Sequence, residues 1–236
     1  MPLILNIESS TEVCSVSIAQ NGQTLFKKES LEGLNHSRVL TVFIEELFKE
    51  NNIAPKMLDA VAVSKGPGSY TGLRIGVSVA KGLCYGLNIP LISVNSLEIL
   101  GVYAAQNLEK YTFLNDETQI LICPMIDARR MEVYTALYNS TGEEIRAVSA
   151  EIIDENFLSD LLETHKILFI GNGADKCKNL LTHKNVFFAE PRTTSAEFMQ
   201  ITAEEKFSKK QFEDVAYFEP FYLKNFVATV PRNKVF

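Results

Sequence analysis

The most unusual stretch of the sequence is rich in glycine and includes one serine, one tyrosine, one threonine and one arginine. It reads Gly66-Pro67-Gly68-Ser69-Tyr70-Thr71-Gly72-Leu73-Arg74-Ile75-Gly76. Glycine and proline shape a tight turn, and free amides at the N-terminus of the following helix could bind an anion. The spacing does not match a Walker A loop, because no Lys-Ser/Thr pair follows Gly72. It also departs from the nucleophile elbow and from the Rossmann fingerprint.

A helix is predicted directly after this loop, from Leu73 to Leu87, although each glycine in a helix costs about 1 kcal/mol against alanine. Its small residues form two ridges at helical spacing: Gly72, Gly76 and Ala80 on one, and Ser78, Gly82 and Gly86 on the other. Close packing inside the chain and a helix-to-helix subunit interface are equally compatible with this pattern.

The histidines and cysteines do not have the spacing of a metal site. The histidines are His36, His165 and His183, and the cysteines are Cys14, Cys84, Cys123 and Cys177. They contain no H-x-x-x-H, H-E-x-x-H or C-x-x-C pattern, and no serine–histidine pair is favoured as a nucleophile. We therefore predict no metal and no cofactor. The scattered cysteines are typical of a reduced, cytoplasmic protein.

The composition is that of an ordinary globular chain of one to two domains. It has 236 residues, 46% of them hydrophobic, and a net charge of −6 from 23 basic and 29 acidic residues. This balance argues against a stand-alone nucleic-acid binder, which needs a basic surface. No apolar stretch approaches the roughly 20 residues of a membrane helix, and the N-terminus lacks the basic lead of a signal peptide.

The order of predicted elements repeats. Each half shows three strands followed by alternating helices and strands, βββαβαβα, and Ile7-Glu8 in the first half matches Ile126-Asp127 in the second. Asn21-Gly22 predicts a tight hairpin turn, and Ser37 is a candidate cap for the first helix. Helices are also predicted near 176–181 and over 195–207.

The duplication indicates an α/β, actin-like ATPase (ASKHA, ribonuclease H-like) fold. The predicted subdomains are 1–106 and 119–223, with a basic tail at 224–236.

Two acids could bind a magnesium nucleotide in such a fold. Glu8 and Asp127 each end the first strand of one half. The turns that follow them lack the glycines that let backbone amides surround phosphates. The alternative is that both are ordinary acids at strand ends and that Asp127 pairs with Arg129 or Arg130. ATP hydrolysis is therefore not favoured.

A second glycine turn lies where proteins of this plan place the adenosine. It contains Gly171 and Gly173 and follows a predicted strand of the second half. It is a relic, a weak nucleotide site or only a tight turn, and the sequence leaves these three open. Together with Glu8, Asp127 and Arg129, these glycines form the candidate vestigial nucleotide cleft.

These residues closely resemble the TsaB (YeaZ) family over nearly the whole chain. The matching motifs are the loop from Gly66 to Gly76, Asn35-His36-Ser37, Ile126-Asp127-Ala128-Arg129-Arg130, Gly171-Asn172-Gly173-Ala174 and Pro220-Phe221-Tyr222-Leu223. The departures are mild. Tyr70 stands where the family usually has phenylalanine, Glu8 where it often has aspartate, and Lys224 where it often has arginine.

The resemblance implies an accessory subunit without a catalytic site of its own. The family serves threonylcarbamoyladenosine modification of tRNA, acting as a scaffold for the TsaD transferase paralogue together with the TsaE ATPase. It therefore implies a heterodimer with a TsaD-type protein, an indirect role toward tRNA and a homodimer when the partner is absent. The partner face implied by the family consists of Ser37, Leu40, Phe43, Ile44 and Leu47 on the first helix and Gly72, Arg74, Gly76, Val79 and Ala80 on the glycine-rich helix.

Two enzymatic alternatives stay open at this point. The first is an active ATPase or small-molecule kinase that uses Glu8 and Asp127. The second is a metallopeptidase, since the family has carried a glycoprotease label, but the histidine spacing gives no reason to accept that label. The basic tail is either a solvated terminus or a tRNA contact.

Overall fold

Two five-stranded mixed sheets form the framework of the chain. The computed structural model describes residues 1–33, 35–114 and 119–224. The first sheet contains β1 (Ile4–Glu8), β2 (Cys14–Gln20), β3 (Gln23–Ser30), β4 (Ala60–Gly66) and β5 (Leu91–Asn95). The second contains β6 (Ile120–Asp127), β7 (Glu132–Asn139), β8 (Glu144–Ile152), β9 (Lys166–Ile170) and β10 (Val186–Phe188). The α-helices are α1 (His36–Glu50), α2 (Tyr70–Leu87), α3 (Ser96–Gln106), α4 (Ser159–Leu162) and α5 (Gln200–Ser208).

The two sheets have the same strand order. It is β3-β2-β1-β4-β5 in the first sheet and β8-β7-β6-β9-β10 in the second. The central strand of each sheet, β1 or β6, runs antiparallel to the next strand of its hairpin and parallel to its other neighbour. This equivalence confirms the predicted duplication and the actin-like α/β fold. The subdomain boundaries stay a prediction, and the tail beyond Lys224 lies outside the described residues.

Local sequence signals account for several turns. Asn21 and Gly22 both have positive φ, 58° and 64°, as their hairpin turn requires. The predicted cap at Ser37 is wrong, because Asn35 precedes the first turn of α1 and Ser37 lies exposed inside it. Helix α3, in contrast, does have a side-chain cap, because Asn95 and Glu98 form a reciprocal capping box.

The second half contains less α-helix than the sequence predicts. Only a 3-10 helix, Asp175–Cys177, occupies the place of the helix expected near 176–181. The helix expected over 195–207 begins as a 3-10 helix, Ala196–Met199, and becomes α-helical only at Gln200. The helical elements of the repeat are therefore less similar than its strands.

Two helices pack on the sheet of their own half, and two others pack on the sheet of the opposite half. Helices α1 and α2 pack on the outer face of the first sheet, where Leu5 and Ile7 of β1 point. The last helix of each half then crosses over. Helix α3 packs mainly on the second sheet, with Leu100 in its core, whereas α5 packs on the first sheet, with Ala203 in its core. The 3-10 helix before α5 also lies on the first sheet, at β1 and β2.

Candidate functional site

The glycine-rich loop closes over the turn that follows β1. Gly66 has φ of 107°, and a Cβ at Gly68 would overlap the Ser10 carbonyl oxygen. The Ser69 amide donates a hydrogen bond to that same carbonyl at 2.6 Å, and the Ser69 hydroxyl accepts one from the Gly72 amide at 3.2 Å. Two amides that could have bound an anion are thus bonded within the chain. Of the remaining loop residues assigned from the sequence, Pro67 is buried, Tyr70 is half-buried and Thr71 is exposed.

The first small-residue ridge of α2 packs inside the chain. Added Cβ atoms at Gly72 and Gly76 would overlap the Ser9 carbonyl and hydroxyl oxygens, and Ala80 is completely buried. On the second ridge, a Cβ at Gly82 or at Gly86 would meet nothing within 4 Å. The small residues of the first ridge therefore serve close packing against β1, and only the second ridge faces outward.

The residues assigned to the partner face divide in the same way. Six of the ten are buried in this chain: Leu40, Ile44, Leu47, Gly72, Gly76 and Ala80. Phe43 and Val79 are half-buried at the margin of the core, and Ser37 and Arg74 are exposed. A partner that docks here would contact the half-buried and exposed residues, and the other six would only support them.

The outward surfaces of α1 and α2 present apolar residues that no described segment covers fully. We call this surface the α1–α2 face, and it comprises Val39, Val42, Phe43, Ile75, Val79, Gly82 and Leu83. Val42 is 44% exposed, and farther along α2 Tyr85 is 85% exposed. Contiguous exposed apolar surface is typical of a protein–protein contact.

Glu8 is sealed inside the chain. It is 0% exposed, and its Oε1 accepts a hydrogen bond from the Ser10 amide at 2.6 Å. Among the described residues its Oε2 has no hydrogen-bond partner of good geometry, although the hydroxyls of Ser10, Thr194 and Ser64 lie nearby. Burial raises the pKa of this carboxyl, and the hydroxyls oppose the shift. A buried acid of this kind is poorly placed to meet a magnesium nucleotide.

Asp127 is paired with a cation of the chain itself. Its Oδ1 accepts hydrogen bonds from the Arg129 amide at 3.0 Å and from the Lys176 ammonium group. Lys176 also donates to the Glu132 carbonyl at 2.6 Å. The expected pairing with an arginine side chain is therefore wrong. Arg129 and Arg130 both adopt positive φ in a tight turn, and Lys176 supplies the charge.

The side chain of Asn172 links the turn after β1 to the end of β6. The Asn172 side-chain amide donates to Glu12 at 2.7 Å, and its carbonyl oxygen accepts from the Asp127 amide at 2.9 Å. The carboxylates of Glu8 and Asp127 share no ligand or hydrogen-bond partner among the described contacts. The structure thus connects Asp127 to the turn after β1 and leaves Glu8 in a separate, buried environment.

The second glycine turn is filled by neighbouring backbone. Gly171, at φ of 91°, donates its amide to the Pro191 carbonyl at 2.8 Å, and Gly173 donates to the Met125 carbonyl at 3.0 Å. A Cβ at Gly171 would overlap the Met125 carbonyl oxygen. The geometry favours the tight-turn interpretation over a space for adenosine.

The histidines serve local structure. His36 is buried with its Nε2 at 3.2 Å from the Val13 carbonyl oxygen, and His165 contacts its neighbour Thr164. Over residues 1–33, 35–114 and 119–224, three or more histidine, cysteine or acidic side chains nowhere gather closely enough to hold a metal ion. In the same ranges no helix has both the length and the hydrophobicity to cross a bilayer.

Sequence reasoning missed several residues of this region. Lys176 and Thr194 belong to no motif, and Asn172 appears only as part of the motif from Gly171 to Ala174, with no role given to its side chain. Their partners lie between 44 and 183 residues away in the chain. For α2 the sequence did contain a signal that indicates which side of the helix is buried. Leu73, Val77 and Cys84 accompany the first small ridge, whereas Lys81 and Tyr85 accompany the second. That polarity identifies the buried side of the helix.

Several known proteins are similar to this chain in sequence and in fold. The family model described as "TsaD: tRNA N6-adenosine threonylcarbamoyltransferase" matches residues 31–230. The TsaB protein of Bacillus subtilis is 33% identical over 184 residues, covering 75% of this chain and 74% of that protein. The TsaB protein of Escherichia coli is 30% identical over 234 residues, covering 95% and 96%. The crystal structure of YeaZ from Pseudomonas aeruginosa superposes with a TM-score of 0.75 at 24% identity, covering 94% of this chain and 100% of that one.

The fold and the two cleft acids define a protein with the duplicated actin-like architecture in which Asp127 is paired with Lys176 and Glu8 is buried. Sequence identity then specifies the family. The chain belongs to the TsaB (YeaZ) family of tRNA threonylcarbamoyladenosine biosynthesis proteins.

The two ridges of α2 should respond oppositely to the same substitution. Gly72→Ala forces a Cβ onto the Ser9 carbonyl and should lower the free energy of unfolding by about 1–3 kcal/mol. Gly82→Ala enters open space in the same helix and should raise it by about 0.5–1 kcal/mol. Urea denaturation of both variants measures the difference, and equal effects would contradict the assignment of the ridges.

Neutralising the buried acid should stabilise the protein in a pH-dependent way. Because the folded-state pKa of Glu8 is raised, its ionisation favours unfolding increasingly as the pH rises above the ordinary pKa of 4.5. Glu8→Gln should therefore melt at a higher temperature than the wild type at pH 8, and the gain should shrink as the pH is lowered toward 4.5. The exposed Glu163→Gln serves as control and should change the melting temperature little at either pH. A gain for Glu8→Gln that is independent of pH would contradict this account.

Proposed function

We propose that this chain is a non-catalytic subunit of tRNA threonylcarbamoyladenosine biosynthesis. It binds a TsaD-type transferase and, together with a TsaE-type ATPase, supports transfer of the threonylcarbamoyl group to adenosine 37 of tRNAs that read codons beginning with A. This proposal rests on its TsaB relatives and on the match to the TsaD family model. The four cysteines are free and buried, which suits work in the cytoplasm.

The observation that carries the non-catalytic role is the state of the two cleft acids. Asp127 is neutralised by Lys176, and Glu8 is buried with a raised pKa. A magnesium nucleotide would have to displace the lysine and open the core around Glu8. The alternative of an ATPase or small-molecule kinase has no comparable feature in its favour, because the glycine turns are bonded to neighbouring backbone.

The partner interaction is supported by the α1–α2 face. Its half-buried side chains, among them Phe43 and Val79, continue outward from the core, and Gly82 leaves room for a second helix to approach closely. The same face would serve a homodimer when the transferase is absent. The net charge of −6 is consistent with a subunit that meets tRNA only through its partner.

Charged substitutions on this face should weaken the complex without unfolding the chain. In Val42→Arg combined with Gly82→Arg, both positions are exposed, so the fold is retained, whereas docking would bury two unpaired cations. We expect binding to the transferase from the same genome, measured by titration calorimetry, to weaken by about tenfold or more. The control is Ile145→Arg, at an exposed apolar residue of β8, which should bind like the wild type. Unchanged affinity of the double variant would place the partner elsewhere.

Removing the cleft carboxylate should leave tRNA modification intact. In Asp127→Asn the side chain still accepts from the Arg129 amide, and the lost ion pair is half-exposed and worth at most about 1 kcal/mol. When the modification reaction is reconstituted with this subunit omitted and then restored, the variant should support a rate within about threefold of the wild type. A loss of several hundredfold, accompanied by tight magnesium–ATP binding to the wild-type chain alone, would instead support the ATPase alternative.

A further inference from the structure

A small cavity lies between α2 and the C-terminal segment, next to the α1–α2 face. We call residues 213–224 the C-terminal strap. Its path is fixed at both ends of α2, because the Glu213 amide donates to the Leu91 carbonyl at 2.9 Å and the Phe221 amide to the Lys65 carbonyl at 2.7 Å. Between these points a cavity of about 300 Å³ opens, lined by residues of α2 and of the strap.

The strap and α2 hold one arginine in a fixed orientation. The Arg74 guanidinium lies 4.2 Å from the centre of the Tyr70 ring and 5.9 Å from that of Tyr222. The two rings lie 4.9 Å apart, and the Arg74 Nε donates a hydrogen bond to the Tyr222 hydroxyl at 3.1 Å. Stacking and this hydrogen bond restrict the side chain before any ligand arrives.

This arrangement leaves the end of the guanidinium available. Its Nε is bonded to Tyr222, and among the residues that the structure describes no carboxylate forms an ion pair with it. Two parallel N–H groups on the terminal nitrogens match the two oxygens of a carboxylate. The exposed position of Arg74 on α2, beside Ile75 of the α1–α2 face, gives a partner direct access.

The remaining charges of the cavity favour a carboxylate over a phosphate group. The Lys81 ammonium group is already occupied, since it donates to the Ala216 carbonyl at 3.1 Å and to the Phe218 carbonyl at 2.9 Å. Glu219 lines the same cavity and would repel a multiply charged anion. The two cations Arg74 and Lys81 and the one acid Glu219 leave this lining with a net charge of +1 (2 − 1), which suits a monoanion better than a phosphate dianion.

We propose that Arg74, held between Tyr70 and Tyr222, is the polar anchor of the partner interface and binds an aspartate or glutamate side chain of the partner protein. This inference rests on the proposed function, because it takes the transferase as the partner. Arginine and tyrosine are enriched among residues that dominate binding energy, and a side chain ordered in advance loses little entropy on binding.

Affinity measurements with the transferase test the anchor. Arg74→Ala should weaken binding by about 30-fold, the size of a typical interface hot spot. Tyr222→Phe keeps the ring but removes the acceptor of the Nε hydrogen bond, and it should weaken binding by severalfold. The combined variant should bind no more weakly than Arg74→Ala alone, because both changes act through the same group. Arg146→Ala, at an exposed arginine of β8, is the matched control and should have no effect.

Cross-linking identifies the bound group. Arg74→Lys places an amine at this position, and a water-soluble carbodiimide joins amines to carboxylates that are in contact. Mass spectrometry of the complex should find an amide between position 74 and an aspartate or glutamate of the transferase. Titration of the free chain with inorganic phosphate and with ADP, the probes for the other anion, should show no binding that depends on Arg74.

The outcomes separate the two proposals. If the wild-type chain forms no complex with the transferase, the proposed function fails and this inference fails with it. If the complex forms but Arg74→Ala binds like Arg146→Ala, the anchor is wrong while the proposed function stands. Phosphate or ADP binding that is abolished by Arg74→Ala would overturn the carboxylate assignment.

Discussion

The close contact between the glycine-rich loop and the turn after β1 is the constraint on which the rest of the structure depends. The Ser9 and Ser10 carbonyl oxygens occupy the volume that side chains at Gly72 and Gly68 would need. This contact sets the depth of α2 on the first sheet. It thereby fixes which residues of α2 are buried and which remain for the strap and for a partner. The sequence of the loop suggests several amides that could bind an anion. The same contact explains why few of them remain free in the structure.

The two cleft acids, Asp127 and Glu8, lie in different electrostatic environments. In this chain Asp127 accepts hydrogen bonds from the Lys176 ammonium group and from the Arg129 amide, so its carboxylate is engaged by residues of the chain itself. Glu8 shows the opposite case, since it is buried with no cation beside it in the part of the chain that the structure describes, and its pKa is raised by the loss of water. One cleft acid is thus paired with a lysine at the surface, and the other is enclosed in the core.

The parts of the fold that depend on neighbours in sequence could be predicted. The Asn21-Gly22 turn is an example, because these two residue types favour the positive φ that the turn requires. The repeat was visible because the element order recurs. The phase of α2 could also have been inferred, since Leu73 and Val77 point to the same side as Gly76.

What could not be predicted depends on contacts between distant segments. The pairing of Asp127 with Lys176 requires a 3-10 turn in a place where the sequence suggests a longer helix. The sequence offers Asp127 two nearer arginines, and only the tight turn shows why their side chains are not its partners. The orientation of Arg74 likewise depends on Tyr222, 148 residues later in the chain.

The crossing of the last helices has a mechanical consequence. Helix α3 follows the first sheet in the chain but packs mainly on the second, and α5 follows the second sheet but packs on the first. Any rotation of one sheet against the other would have to shear both helices across close-packed surfaces. The two halves are therefore coupled through the packing of α3 and α5 as well as through the chain segments that join them.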